Sequence, residues 1–370
     1  MSVRTRTLKL LAPLAASGLL LCVAQATVGA QRATVTLRAT DHSASVRGAV
    51  ISLLSQDGRT VAEALSIENG TRTLEAPVPG TYRIRVRRIG YVPFVSQPVV
   101  LAAGQTARIN LELPLSRVNL ATMHIRSTFK ACGGGFTGDQ ATSATWDQIR
   151  TALSADVLTE RDTLVKLNVR HFVTRERPNG EPYALEVKEL GESGAQPFGT
   201  ADPATLSRAG YVVRQVSGTT YWAPDPHVLL SPEFEREHCF RLITRHDSAG
   251  EQIGLAFEPT SDRDLADIRG TLWVRRADSH LQRLEYRYAN TSPPLGATDV
   301  GGDVEFTSLP SGVWYIASWS VRLPLITDNP IDPSRPRFVG YKSVGGVATP
   351  VGTTAVLPLN LRSAPPTVVV

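Results

Sequence analysis

Gly48–Tyr91 reads GAVISLLSQDGRTVAEALSIENGTRTLEAPVPGTYRIRVRRIGY. Short runs in which apolar and polar residues alternate are separated by the turn signals QDG, ENG and VPG. Alternation with a period of two marks strands that bury one face, and turns about every ten residues mark an all-β sandwich. The same pattern extends to RATVTLRA upstream and PVVLAAGQTARINLELPL downstream, which bounds the first unit at residues 31–115.

In PGTYRIRVRR, Tyr82, Ile84 and Val86 alternate with Arg83, Arg85 and Arg87. Period two sends the apolar set one way and the arginines the other, which gives a solvated outer face of a half-buried strand. The sharper alternative is a basic patch for a polyanion or an acidic partner. No series of aromatics interleaves the arginines, as a single-stranded nucleic-acid binder would need.

These residues carry a resemblance. Gly48, Ala49, Ile51 and Leu53 on the first strand, Asp57-Gly58 and Asn69-Gly70 at the turns, and Pro79, Gly80, Tyr82, Gly90 and Tyr91 around the last strand are similar to the carboxypeptidase regulatory-like domain. The stretch GTRTLEAP departs from that pattern, with Thr73 or Leu74 where an aromatic often stands. The resemblance implies a seven-stranded, transthyretin-like sandwich. It also implies an accessory module of exported peptidases, outer-membrane receptors and surface proteins, without catalytic residues of its own. Carbohydrate binding is a weaker implication.

The first thirty residues are of another kind. Arg4, Arg6 and Lys9 precede LLAPLAASGLLLCVA, and Val28 and Ala30 offer a small-residue cleavage site, so residues 1–30 read as a secretory signal peptide cut after Ala30. A retained anchor is the alternative, but Pro13 and Gly18 interrupt a run that is short for a membrane span. Leu21 before Cys22 excludes a lipidation signal. Cleavage lowers the formal charge from +5 to +2, which removes the compositional case for nucleic acid as a partner. No later stretch has the length of a membrane helix. The location expected is the periplasm or outer envelope. Two cysteines remain, Cys132 and Cys239, and in an oxidising compartment an even pair reads as a disulfide, two separate thiols being the alternative.

Residues 116–141 contain ACGGGF and read as a glycine-rich linker. Trp146, Ile149, Leu153 and Val157 then stand at helical spacing, with Thr142 or Ser143 as N-cap. Beyond them strands resume. LVKLNVRHFVTRE with YALEVKEL, GTLWVRRADSHLQRLEYRYAN, and GDVEFTSLPSGVWYIASWSVRLPL read as hairpins. Leu284, Tyr286 and Tyr288 form one apolar file; Val313, Tyr315, Ala317, Trp319 and Val321 form another. Residues 142–350 are expected to be an α+β domain with a large curved antiparallel sheet beside one long helix, loosely similar to periplasmic lipoprotein-carrier half-barrels. Residues 351–370 form a tail. The fold class is mainly β.

Catalytic patterns are missing. None of the seven histidines is followed three residues on by Glu, and there is no His-Glu-x-x-His. GESGA at Gly191–Ala195 lacks the final glycine of a serine-hydrolase elbow and reads as a loop. STFK at Ser127–Lys130 lacks its helical context, and no phosphate-binding loop or dinucleotide fingerprint occurs. No cofactor is expected. Tyr211, Tyr221 and Trp222 cluster beside a turn and the stiff loop APDPH. They could stack on a sugar or partner from a hairpin tip, or cap the core. With Arg83, Arg85 and Arg87 they make the candidate ligand or partner surface. The sequence thus points to an exported, non-catalytic binding or assembly module of the cell envelope, its partner an envelope protein or glycan. A carrier of an apolar ligand in the concave sheet and a hydrolase with an unrecognised site in residues 142–350 stay open.

Overall fold

The computed structural model describes residues 31–39, 44–114, 116–118, 140–193, 197–215, 218–247, 250–291, 297–328 and 337–351. The expected signal peptide, Ser127–Lys130, Cys132 and the tail beyond Val351 lie outside them.

Strands β1 (Gln31–Ala39), β2 (Ala49–Leu54), β3 (Thr60–Leu65), β4 (Thr71–Ala76), β5 (Gly80–Arg88), β6 (Phe94–Val95), β7 (Val99–Leu101) and β8 (Thr106–Leu113) build the N-terminal sandwich. One sheet has the order β4-β1-β8, with β1 antiparallel to β4 and parallel to β8. The other has the order β3-β2-β5, and both β6 and β7 lie along the far edge of β5. They occupy one edge position, broken around Ser96, whose backbone N–H donates to Ile84 O (2.8 Å) and whose Oγ accepts from Ile84 N (2.9 Å). The seven-stranded sandwich therefore holds, with one strand in two pieces. Val35, Leu37, Ile51, Leu53, Leu74 and Ile84 are buried between the sheets. The ENG turn needs its glycine: Gly70 has φ +68°, and a Cβ there would stand 2.6 Å from Leu37 O. Asn69 Oδ1 accepts from Thr71 N at 3.0 Å and fixes the turn locally.

Helix α1 (Gln140–Arg161) follows. It starts ahead of Thr142 and Ser143, which lie inside it, so neither is its N-cap. Trp146, Ile149 and Leu153 are buried as their spacing predicts, whereas Val157 is only half-buried. Thr145, Gln148, Thr151, Ser154, Asp156 and Thr159 are buried as well. The reason is that α1 is covered from two sides. Val50 and Leu65, from the outer face of the β3-β2-β5 sheet, share a hydrophobic cluster with Trp146, Ile149, Phe240 and Leu255. Gly90 N donates to Gln148 Oε1 (2.6 Å), and Arg161 Nη2 donates to Glu63 O (2.8 Å).

The rest of the chain forms β9 (Leu167–Glu176), β10 (Pro182–Ser193), α2 (Pro203–Ala209), β11 (Val212–Gln215), β12 (Gly218–Tyr221), α3 (Pro226–Leu229), α4 (Pro232–Glu237), β13 (His238–Asp247), β14 (Gly250–Pro259), β15 (Asp267–Arg275), β16 (Leu281–Ala289), β17 (Gly301–Ser308), β18 (Trp314–Thr327) and β19 (Arg337–Pro350). Nine of these strands make one antiparallel sheet, ordered β10-β9-β19-β18-β17-β16-β15-β14-β13. Strands β13 to β19 meander in chain order, and β19 closes onto the β9–β10 hairpin. The three short helices share one device. Asp202, Asp225 and Ser231 each precede a proline at the first helical position, and each accepts a backbone N–H from three residues on. The stiff loop expected at APDPH is thus the start of α3.

Cross-strand pairs of aromatic and glycine recur through the sheet: Trp273 with Gly254, Phe257 with Gly270, Tyr286 with Gly302, Trp319 with Gly346, and Phe172 with Gly345. A Cβ at Gly346 would stand 2.1 Å from the Trp319 ring, and one at Gly302 2.6 Å from Tyr286 Oη. Each ring covers the backbone its partner leaves bare, a device by which a sheet can curve without opening a void. The expected file from Val313 to Val321 changes side. A register shift leaves Ala317 as an extra residue, so Ile316 faces Phe306 while Ser318 faces Glu305, and Tyr315 falls on the opposite face from Trp319.

Candidate binding face

Register divides the large sheet into two faces. Leu242, Leu255, Leu272, Leu284, Val304 and Trp319 stand in one row on the inner face, where α1 packs. The outer face carries a polar lattice. Glu285 accepts from Arg245 Nη1 and from Trp273 Nε1, each at 3.1 Å, with the Arg245 guanidinium 4.1 Å above the Trp273 ring. Burial alone would raise the Glu285 pKa, but Arg245, Trp273 and Arg283 outweigh it and hold it below the usual carboxylate value. Glu305 accepts from Arg283 Nη2 (2.9 Å) and Ser318 Oγ (2.8 Å). Arg322 joins Asp299 to Glu176, and Arg287 Nε meets Asp299 Oδ1 at 2.6 Å.

A groove of about 350 Å³ opens in this face near β13–β16. Its floor is low because Ala256 and Thr271, paired on the outer face, are small. Arg241, Arg269 and Arg287 rise around it, with Ile243, Glu258 and Glu285. The lining thus sets three arginines against two glutamates, with Glu285 engaged by Arg245 and Trp273 and Arg287 by Asp299. Arg269 is exposed. Nothing in single strands announces this groove, since it depends on which residues of four strands stand in register.

The sequence-predicted residues are not brought together. Arg83 is exposed and Arg85 half-buried, its Nη2 donating to Thr60 Oγ1 at 3.2 Å. Arg87 is buried and 3.3 Å from Glu63 Oε1, because that end of β5 runs toward α1. The reading of a uniformly solvated arginine face is corrected there: burial lowers the Arg87 pKa, against the pull of Glu63. Tyr211 is also buried, and its N–H donates to Ala266 O at 2.7 Å. Tyr221 and Trp222 are half-buried. Tyr221 stacks edge-on against Tyr288 at 5.2 Å, and the Tyr288 hydroxyl donates to Trp222 O at 3.2 Å. The three cap the core and do not form a hairpin tip. Gly191–Ser193 of GESGA belong to β10 rather than a loop. Cys239, on β13, is disulfide-bonded. With Cys132 outside the described residues, its pairing with Cys132 stands as a proposal; two titratable thiols in the unfolded, unreduced protein would defeat it.

Two buried polar clusters had no sequence signal. His238 Nε2 lies 3.2 Å from Asp267 Oδ1, and its Nδ1 lies 2.9 Å from Phe234 O. Arg263 bridges Asp267 to Glu237 and donates to the Ser207 and Leu206 carbonyls. This knot ties α2, α4 and β15 together, and the half-buried Ser207 hydroxyl donates to Glu237 at its edge. Asp156 on α1 is buried, and burial with Glu160 and Asp225 nearby pushes its pKa well above the usual carboxylate value. Among the described residues, no group of three or more His, Cys, Asp or Glu side chains is placed to hold a metal ion, and no helix is long and apolar enough to cross a membrane.

No curated protein matches the chain. Among solved structures, a DUF1329 family protein from Desulfovibrio piger is 11% identical, covering 54% of this chain and 91% of its own, at a TM-score of 0.24. A 9R-lipoxygenase from Cyanothece is 10% identical over 85% of this chain and 42% of its own (TM-score 0.19). BcpA, the major pilin subunit of Bacillus cereus, is 9% identical over 85% and 95% (TM-score 0.18). Superpositions this poor carry no argument. The N-terminal match is of another order: residues 32–114 fit the family model of the carboxypeptidase regulatory-like domain, and the sandwich of β1–β8 is a domain of that family.

Proposed function

We propose that this chain is an exported, non-catalytic binding module of the cell envelope, and that the outer face of its nine-stranded sheet binds an anionic envelope polymer bearing carboxylate or phosphate groups. The observation that carries the reading is the groove over Ala256 and Thr271, rimmed by Arg241, Arg269 and Arg287 on an otherwise polar face. Guanidinium groups suit carboxylates and phosphates because their planar fork can donate two parallel hydrogen bonds. The regulatory-like sandwich supports an accessory role and export. The carrier alternative is less favoured, because α1 occupies the inner face where an apolar ligand would sit. Titration calorimetry with carboxylated and phosphorylated polysaccharides, against neutral dextran, tests the proposal. Charged polymers should bind and dextran should not. Arg269→Glu together with Arg241→Glu should weaken binding at least tenfold in a folded protein. Equal binding of charged and neutral polymers, or indifference to both substitutions, would overturn it.

A further inference from the structure

Strand β10 borders the nine-stranded sheet and, among the described residues, pairs on one side only, with β9. An open edge invites another strand, and proteins blunt such edges with prolines, breaks or covering elements. Two other edges here are treated in that way. Arg161 of α1 reaches over β3 to Glu63 O, and the β6/β7 edge is interrupted between Pro93 and Pro98. On β10, register shifts fall between Pro182 and Ala184 and between Glu189 and Glu192. Between them, Ala184–Glu189 is regular and free of proline and glycine. At its centre Val187 is 52% exposed, with Lys188 on one side and Glu186 on the other, an exposed carboxylate that accepts from Arg175 Nη1 of β9 through one oxygen.

That order is self-complementary. We infer that β10 pairs antiparallel with β10 of a second copy of this chain, about a two-fold axis through Val187. The two valines then face each other, and Glu186 of each copy faces Lys188 of the other. The matched stretch, Leu185–Glu189, fits wholly between the bulges. Backbone hydrogen bonds and the burial of Val187 supply the affinity, as in other strand-addition contacts. The exposed ion pairs add little energy but fix the register, since a slip of one residue sets like charges closer and turns each side chain to the wrong face. The contact is isologous, so it closes at two copies and does not propagate along this edge.

Sedimentation equilibrium of the full mature chain tests this. Wild type should dimerise reversibly. Lys188→Glu places four carboxylates at the axis and Glu186→Lys four cations, so each variant alone should be monomeric, with a circular dichroism spectrum like that of wild type. Mixed in equal amounts, the two should form a heterodimer, because the paired carboxylates of one variant then face the paired ammonium groups of the other. A wild type that stays monomeric at high micromolar concentration overturns the inference. So does a dimer that survives both substitutions, or a mixture that fails to associate.

Discussion

Arg83 and Arg87 sit four residues apart on one face of β5, yet only Arg83 is a surface residue. Replacing Arg83 by Ala should change stability by less than about 0.5 kcal/mol, whereas Arg87→Ala should cost about 1–3 kcal/mol, since it removes the Glu63 ion pair and leaves a gap toward α1. Chemical denaturation of both variants checks this, and equal costs would contradict the burial of Arg87. Asp156 makes a pH-dependent prediction. Its folded pKa lies above the ordinary value of 3.8 through burial first, then Glu160 and Asp225. The folded state therefore holds this proton more tightly than the unfolded chain does, and the protein loses stability as pH rises from that ordinary value through the folded one. Asp156→Asn keeps the shape without the ionisation. The melting temperature of the variant minus that of wild type should grow as pH rises above the ordinary carboxylate value; a difference that stays flat means that Asp156 is not held protonated by the fold.

At the scale of elements, the aromatic–glycine pairs set how closely side chains can pack across neighbouring strands of the large sheet. Gly346 is the cleanest test, because the three atoms nearest to an added Cβ all belong to the Trp319 ring. Gly346→Ala should cost about 1–3 kcal/mol by overpacking. In a Trp319→Leu background the ring is gone and the same substitution should cost much less, giving a coupling energy of about 1 kcal/mol or more. Additive costs would mean that ring and glycine are independent. At Gly302 an added Cβ would also meet Ser320 O at 2.1 Å, so truncating Tyr286 should rescue Gly302→Ala poorly.

For the whole molecule, α1 is the shared element. The outer face of the sandwich supplies Val50 and Leu65 to the cluster that α1 forms with the large sheet, and Gln148 and Arg161 hold Gly90 and Glu63 across the same boundary. Neither sheet system can shed the other without exposing apolar surface. Calorimetry should therefore give one transition with matching calorimetric and van't Hoff enthalpies. Two resolved transitions would show that the sandwich melts alone.

Local pattern along the chain is enough to encode several of these elements. Period two and the QDG, ENG and VPG turns dictated the sandwich, and the residues from Gly48 to Tyr91 carried its family. The spacing of Trp146, Ile149 and Leu153 marked α1, and the three hairpins of the large sheet were readable from their turns. How faces meet, by contrast, depends on packing between segments distant in sequence. Two sides of α1 are buried, so its polar residues, Gln148 and Asp156 among them, vanish into the interior against their composition. Arg87 and Tyr211 are covered by segments distant in sequence. The groove under Arg241, Arg269 and Arg287 exists because four strands align their small and large residues in one register, which depends on pairing between strands and is not written in any one of them.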